Sequence, residues 1–277
     1  MNKKLIAGMI TGAALMLASS AASSAVVIYN TSLSNITSTF DAAIIATGST
    51  VTTAQVVSGQ NVYDYIDLDG NAATVTVTRT GTGAAASPSG GYSSGGESLS
   101  GSVWNINPGG SAGGGVGGLP DIPGYTSGLT FTFSSPVNAF GFEVGDWATC
   151  CFTNTRPANV QAAYGVPAGG SGLWIAFDGG AATLPANAFT FTDNPGYAER
   201  FSFNNFIGAI DDSGFFNAVT FWGDGWGEFL VAGGTLRFAS VPEGSIGPQP
   251  VPEPGTLALL GLGLAGLGAL RRRKLQA

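Results

Sequence analysis

Leu129-Thr130-Phe131-Thr132-Phe133 is the stretch on which the reading of the fold turns. Apolar and hydroxyl side chains alternate strictly through it, which is the period of a half-buried β-strand and not of a helix. Similar short runs follow at 137–144 (after a Ser-Pro turn), 173–177, 188–192, 200–203, 215–222, 228–231 and 235–238, with Gly, Pro, Asn and Asp between them. Phenylalanines recur at alternate positions (131 and 133, 140 and 142, 189 and 191, 201 and 203), as expected of residues that fill a core from one strand face. Seven or more short strands at this spacing predict an all-β ectodomain, an antiparallel sandwich of jelly-roll-like form. With 44 glycines and 14 prolines, the chain has little material for helices.

Upstream, the alternation is weaker. Segments 51–57 and 74–78 read as strands with threonine on the wet face. From Gly81 to Gly118 the chain is dominated by Gly, Ser and Ala, interrupted by Trp104 and Ile106, and reads as a long loop or linker. The expected layout is a signal peptide over 1–25, an N-terminal β region over 26–80 and a Gly/Ser-rich linker over 81–120. The sandwich core follows over 121–240, then a linker over 241–250 and a terminal signal over 251–277.

Both ends carry topogenic patterns. Lys3 and Lys4 precede an apolar stretch, and Ser23-Ser24-Ala25 supplies small residues before a cut, which is the order of a secretory signal peptide with a helical apolar region. At the other end Pro252-Glu253-Pro254 precedes an apolar, glycine-rich segment, 256–270, and then Arg271, Arg272, Arg273 and Lys274. Fifteen residues of helix rise about 22 Å, a short transmembrane span that snorkelling arginines help to complete. The basic cluster is expected to stay cytoplasmic, which puts everything before it outside and agrees with the leader.

These C-terminal residues resemble the PEP-CTERM sorting signal of Gram-negative bacteria. The resemblance implies that an exosortase, a membrane protease-transpeptidase, recognises the Pro-Glu-Pro region and cuts nearby, after export by the general secretory translocon and removal of the leader by signal peptidase. The prolines would hold that region extended and free of helix, as a protease requires. Three further stretches, FTFSSPVNAFGFEVGDW, IAFDGG and FIGAIDDSGFFNAVTFWGDGWGEF, resemble β-sandwich ectodomains found ahead of such tails.

Charge and composition exclude several functions. Between the leader and the basic tail there are four arginines, no lysine and all seventeen acids, a formal charge of −13. Such a surface repels nucleic acid. The absence of histidine removes Ser-His-Asp and Cys-His catalysis in their usual forms, together with His-based zinc sites. No P-loop is present. The expectation is a protein that is not an enzyme and needs no cofactor.

Candidate sites remain. Cys150 and Cys151 are adjacent, with α-carbons about 3.8 Å apart across a trans peptide, so a vicinal disulfide would be strained. That bond, two thiols and bridges between chains are all open. Asp67-x-Asp69-Gly70-Asn71 has the look of a calcium loop without its closing glutamate, and reads as a turn. Asp211, Asp212, Asp224 and Glu228 flank one predicted strand and form a candidate calcium set, with Glu143 and Asp146 in a loop upstream. Trp226, between Gly225 and Gly227, is the candidate for stacking on a sugar, whereas Trp147, Trp174 and Trp222 are as well suited to a core.

The expected function is therefore an exported, exosortase-sorted surface or extracellular-matrix protein. It would be held transiently in the inner membrane with its ectodomain in the periplasm, then reach the cell surface, where a structural or adhesive sandwich meets exopolysaccharide. Two alternatives stand beside it: a calcium-assisted carbohydrate-binding module, and a glycosidase built on paired carboxylates.

Overall fold

The computed structural model describes residues 27–32, 35–67, 69–94, 97–106, 128–146, 156–190, 205–224 and 230–246. Both expected terminal signals and the cysteine pair lie outside these residues, as does the segment 200–203 that was expected to form a strand. The elements run β1 (Val27–Ser32), α1 (Phe40–Ala46), β2 (Thr52–Gln55), β3 (Val62–Ile66), β4 (Ala72–Arg79), β5 (Ser89–Ser94) and β6 (Glu97–Ile106). Then follow β7 (Leu129–Val137), β8 (Ala139–Asp146), α2 (Ala158–Tyr164), β9 (Ser171–Phe177), β10 (Thr183–Ala188), β11 (Asn205–Ile210), β12 (Phe216–Gly223) and β13 (Leu230–Ala239).

Two sheets form. The first has the order β1-β11-β8-β13-β6-β5, with β2 also pairing to β13, and the second has the order β10-β9-β12-β7-β4-β3. Every pairing between these strands is antiparallel. The all-β sandwich expected from the sequence is thus the fold.

The core lies where the alternation put it. Leu129, Phe131 and Phe133 face inward from β7 while Thr132 is exposed. Across the gap Phe140, Phe142 and Val144 face inward from β8. Phe131 sits 4.8 Å from Phe140, 5.4 Å from Phe142 and 6.1 Å from Phe221, ring centre to ring centre, and Trp104 meets it edge-on at 5.8 Å. Tilted and edge-to-face pairs at these distances suit aromatic quadrupoles better than parallel sandwiches do.

Each sheet also buries part of its outer face under a helix. α1 places Phe40 and Ile44 with Ile36 against Ala139, Phe206, Ile210 and Ala239 of the first sheet. The close approach demands glycine: a Cβ on Gly141 of β8 would collide with the Phe206 ring. α2 places Val160 and Tyr164 over Trp174, Ala176 and Trp222 of the second sheet. Pro157 just before α2 and left-handed Gly165 (φ 64°) just past it mark its ends.

Several expectations are corrected. The 26–80 region, expected to be β, supplies strands to both sheets, with β4 pairing to β7 and β1 to β11. The 81–120 linker instead supplies β5 and β6, whose Ser/Gly-rich backbones pair with each other and, through β6, with β13. A sheet needs backbone donors and acceptors before it needs side chains, so composition misled there. Trp104 fixes this part, fully buried with its Nε1–H donating to the Ala86 carbonyl at 2.8 Å.

The strand expected at 188–192 is displaced: β10 ends at Ala188, and Phe189 is 54% exposed. The two strands expected at 228–231 and 235–238 are one strand, β13, with register shifts along it. The corner after β7 falls at Asn138 and not at the Ser-Pro pair. Its buried side-chain amide donates to the Val241 carbonyl and accepts from the Val241 N–H, both at 2.7 Å.

Phe131 and Phe189 look alike in sequence and differ in burial. Truncating Phe131 to Ala should cost about 3–5 kcal/mol, whereas Phe189→Ala should stay within about 0.5 kcal/mol of the parent. Urea unfolding monitored by circular dichroism measures both.

Candidate functional site

Among the acids singled out in the sequence, Asp224 has the most definite surroundings. It follows β12, and Arg156 precedes α2; the two side chains meet with each 1% exposed. Arg156 Nε–H donates to Asp224 Oδ2 at 2.5 Å and an Nη2–H to Oδ1 at 3.1 Å, a two-pronged carboxylate grip. Its other donors reach the carbonyls of Pro167 (3.0 Å), Gly169 (2.9 Å) and Gly170 (3.3 Å) and the Asn187 Oδ1 (2.7 Å). The Gly172 N–H also donates to Asp224 Oδ1, at 2.7 Å. The guanidinium carbon lies 5.8 Å from the centre of the Trp174 ring, which stacks on Trp222 at 6.0 Å and 5°. A buried ion pair is tolerable only when both partners are this fully hydrogen-bonded.

The pair ties the residue just before the start of α2 to the end of β12. Trp147, Cys150, Cys151, Trp226 and Glu228 lie outside the described residues. Sequence reasoning missed Arg156. Its signal was present, because a cation placed in a core has few alternatives in a chain with four interior arginines and no interior lysine.

Of the calcium set, Glu228 lies outside the described residues, and Asp224 is not brought to Asp211 and Asp212. Asp211 and Asp212 precede β12 and Asp224 follows it, so the eight residues of the strand hold them about 26 Å apart. Each has other work. Asp211 Oδ1 accepts from the Ser213 N–H (3.0 Å) and hydroxyl (2.5 Å), and Asp212 Oδ2 accepts from the Ile246 N–H at 2.6 Å. Asp224 is neutralised by Arg156. Among the described residues no group of three or more Cys, Asp or Glu side chains is placed to hold a metal ion. The Asp67 loop is a hairpin turn, with Asp67 Oδ1 accepting the N–H groups of Asp69 and Asn71. Trp174 and Trp222 are core residues, fully buried.

A second charged group lies on the outer face of the first sheet. Arg237 Nη1–H donates to Asp41 Oδ2 at 2.8 Å, linking β13 to α1. Glu143 of β8 accepts the Thr235 N–H at 3.1 Å and lies over Gly234, where any Cβ would collide with its Oε2. Gly234 also has φ 62°, so glycine is required there twice over. Burial pushes both carboxyls above their ordinary values, with Arg237 pulling in the opposite direction.

The outer face of the second sheet, beyond the cover of α2, is rich in threonine and carries Asp64 at its β3 edge. Register sets Thr78, Thr130 and Thr220 abreast, and Thr76 beside Thr132. The Thr130 hydroxyl lies 3.1 Å from those of both Thr80 and Thr220.

A two-sheet sandwich followed by a proline-flanked acid, an apolar segment and a basic cluster is the architecture of an exported protein sorted by its tail. The tail is specific: residues 250–274 match the family described as the PEP-CTERM protein-sorting motif. The protein therefore carries a PEP-CTERM signal, which makes it an exported substrate of exosortase, anchored transiently at the membrane. No curated protein and no solved structure matches the chain. Among the described residues no helix is long and apolar enough to cross a membrane.

Two outcomes are expected from the charged groups. Asp224→Ala leaves Arg156 buried without a counter-charge and should cost about 3–5 kcal/mol, whereas the Arg156→Met, Asp224→Leu double variant should cost less than the sum of the two single changes. Denaturant unfolding of the four proteins measures the coupling. A carboxyl with a raised folded-state pKa holds its proton more tightly folded than unfolded. Glu143 therefore favours folding increasingly as pH falls from its raised value toward its ordinary 4.5. Glu143→Gln should flatten that part of the stability–pH profile without lowering stability at neutral pH, as read from unfolding midpoints across the range.

Proposed function

We propose that this protein is cut near Pro252-Glu253-Pro254 and delivered to the cell surface or extracellular matrix. There the sandwich acts as a non-catalytic structural or adhesive unit among exopolysaccharides. The sorting motif at 250–274 carries the reading. An excess of acids with no interior lysine argues against nucleic-acid or anionic-lipid partners, because both need clustered cations. The threonine-bearing face of the second sheet, with Asp64 at its β3 edge, offers a hydroxyl-rich surface suited to wet contact with polysaccharide.

The glycosidase alternative is not favoured by the carboxylates that are described. Asp224 is held by Arg156, Asp41 by Arg237, and Glu143 by the Thr235 N–H. The calcium-assisted version of carbohydrate binding has less support, because the length of β12 separates Asp211 and Asp212 from Asp224.

Mass spectrometry of protein from a sorting-competent host, fractionated into membrane and extracellular material, tests the proposal. The expected mature chain starts near Val26, ends near the Pro-Glu-Pro triplet and lies outside the cell. A variant lacking residues 252–254 should keep its tail and remain membrane-bound. Wild-type protein with an intact tail in the inner membrane would overturn the reading.

A further inference from the structure

At the end of the sandwich away from Arg156 and Asp224, the turn between α1 and β2, the end of β3 with its hairpin, and the end of β13 enclose a cavity of about 500 Å³. That is within the size range of small-molecule sites. Its wall includes Ser49, Thr50, Thr52, Asp67 and Ser240, with Ile66, 51% exposed, as the large apolar side chain among the described residues. Among the described residues no arginine, lysine or aromatic side chain lines it.

The hydrogen-bonding inventory of this wall is specific. An ionised carboxylate accepts about four hydrogen bonds. Asp67 uses three: Oδ1 accepts the N–H groups of Asp69 (3.0 Å) and Asn71 (2.8 Å), and Oδ2 accepts the Ser135 hydroxyl (3.1 Å). Oδ2 thus carries a single hydrogen bond of this set, and the Asn71 side chain also acts on the carboxylate. The same donors, with the Asn71 N–H foremost, hold Asp67 below its ordinary range, so it stays charged at neutral pH. The Thr47 hydroxyl gives its one proton to the Ile44 carbonyl (2.7 Å), so Ser49 Oγ, 2.9 Å away, donates to Thr47 Oγ1 and keeps its lone pairs to accept. Thr50, Thr52 and Ser240 make no side-chain hydrogen bond within the described residues.

This wall fits one chemical class of ligand. A phosphate, sulfate or carboxylate would meet an anion and no cation. An apolar molecule would strip water from four hydroxyls and return nothing to them. A ligand bearing several closely spaced hydroxyls satisfies donors and acceptors together.

We propose that this cavity binds a neutral sugar unit, the end or a branch of a polysaccharide chain. Asp67 Oδ2 is the fixed acceptor, the hydroxyls of Ser49, Thr50, Thr52 and Ser240 are adaptable partners, and Ile66 lies against the carbon face of the ring. The proposal rests on the matrix reading for the source of the sugar, whereas binding in vitro is independent of sorting.

The full chain, purified in mild detergent, is tested for retention on immobilised dextran, mannan and galactan, with alginate as the anionic and chitosan as the cationic comparison. Retention on at least one neutral polymer is expected, competed by its free monosaccharide. Thr50→Val with Thr52→Val removes two hydroxyls at nearly constant shape and should weaken binding about tenfold or more. Asp64→Asn, on the exposed outer side of β3, should leave binding unchanged. Asp67→Asn should weaken binding as well, and circular dichroism separates that effect from loss of the hairpin. No retention on any neutral polymer, retention on chitosan alone, or wild-type binding by the double threonine variant would each overturn the proposal. Sugar binding by a protein whose tail stays intact in its host would leave the cavity assignment standing and remove the matrix reading.

Discussion

The packing of phenylalanine between two antiparallel sheets is the constraint on which the rest of this structure depends. Phe131 touches Phe140 and Phe142 of the facing sheet and Phe221 of the neighbouring strand, while Trp104 closes the layer edge-on. In a strand the side-chain period is two, so slipping β7 by one residue would turn Leu129, Phe131 and Phe133 to solvent and bring threonine into the core. That penalty fixes the register of β7 against β4 and β12. The register in turn ranks threonines across the outer face of the second sheet. One choice sets both a dry interior and a hydroxyl-bearing exterior.

Charge is used sparingly and mostly for attachment. The Arg156–Asp224 pair joins the segment after β8 to the end of β12, and the Arg237–Asp41 pair joins β13 to α1. Asn138 does the same without charge, its amide standing in for a strand neighbour against Val241. Each contact lies where a sheet ends or a helix lands, because those are the places where backbone pairing runs out and polar groups still need partners. Three further acids cap turns: Asp67, Asp178 and Asp211 each accept backbone N–H groups beside them or across a hairpin.

For function, the tail and the sandwich answer different questions. The PEP-CTERM motif marks the chain as an exported exosortase substrate, since such sorting depends on a short linear signal read by membrane machinery. What the ectodomain meets afterward depends on surfaces: the threonine face of the second sheet and the polar cavity at one end. Among the described residues the face carries Asp64 and the cavity Asp67, in a chain that is strongly acidic between its leader and its basic tail. Hydroxyl-rich polymers are the partners we propose for surfaces of this kind.

The sequence by itself determined the sorting tail, the all-β class and the inward-facing residues of β7 and β8, because linear motifs and strand alternation are local properties. It placed β4, β9 and most of β12 for the same reason. It misread 81–120 because β5 and β6 are held by backbone pairing with strands distant in sequence, and their Gly and Ser side chains carry no period. It left β11 unmarked because α1 covers the outer face of that strand, so all six residues from Asn205 to Ile210 are buried and no alternation survives. Asp224 shows the same limit at a site. Its carboxylate reads as one of several turn acids until the fold brings Arg156, sixty-eight residues away, within 2.5 Å of it. Which acids face solvent and which neutralise a buried cation is decided by contacts between distant segments, and only the folded chain contains them.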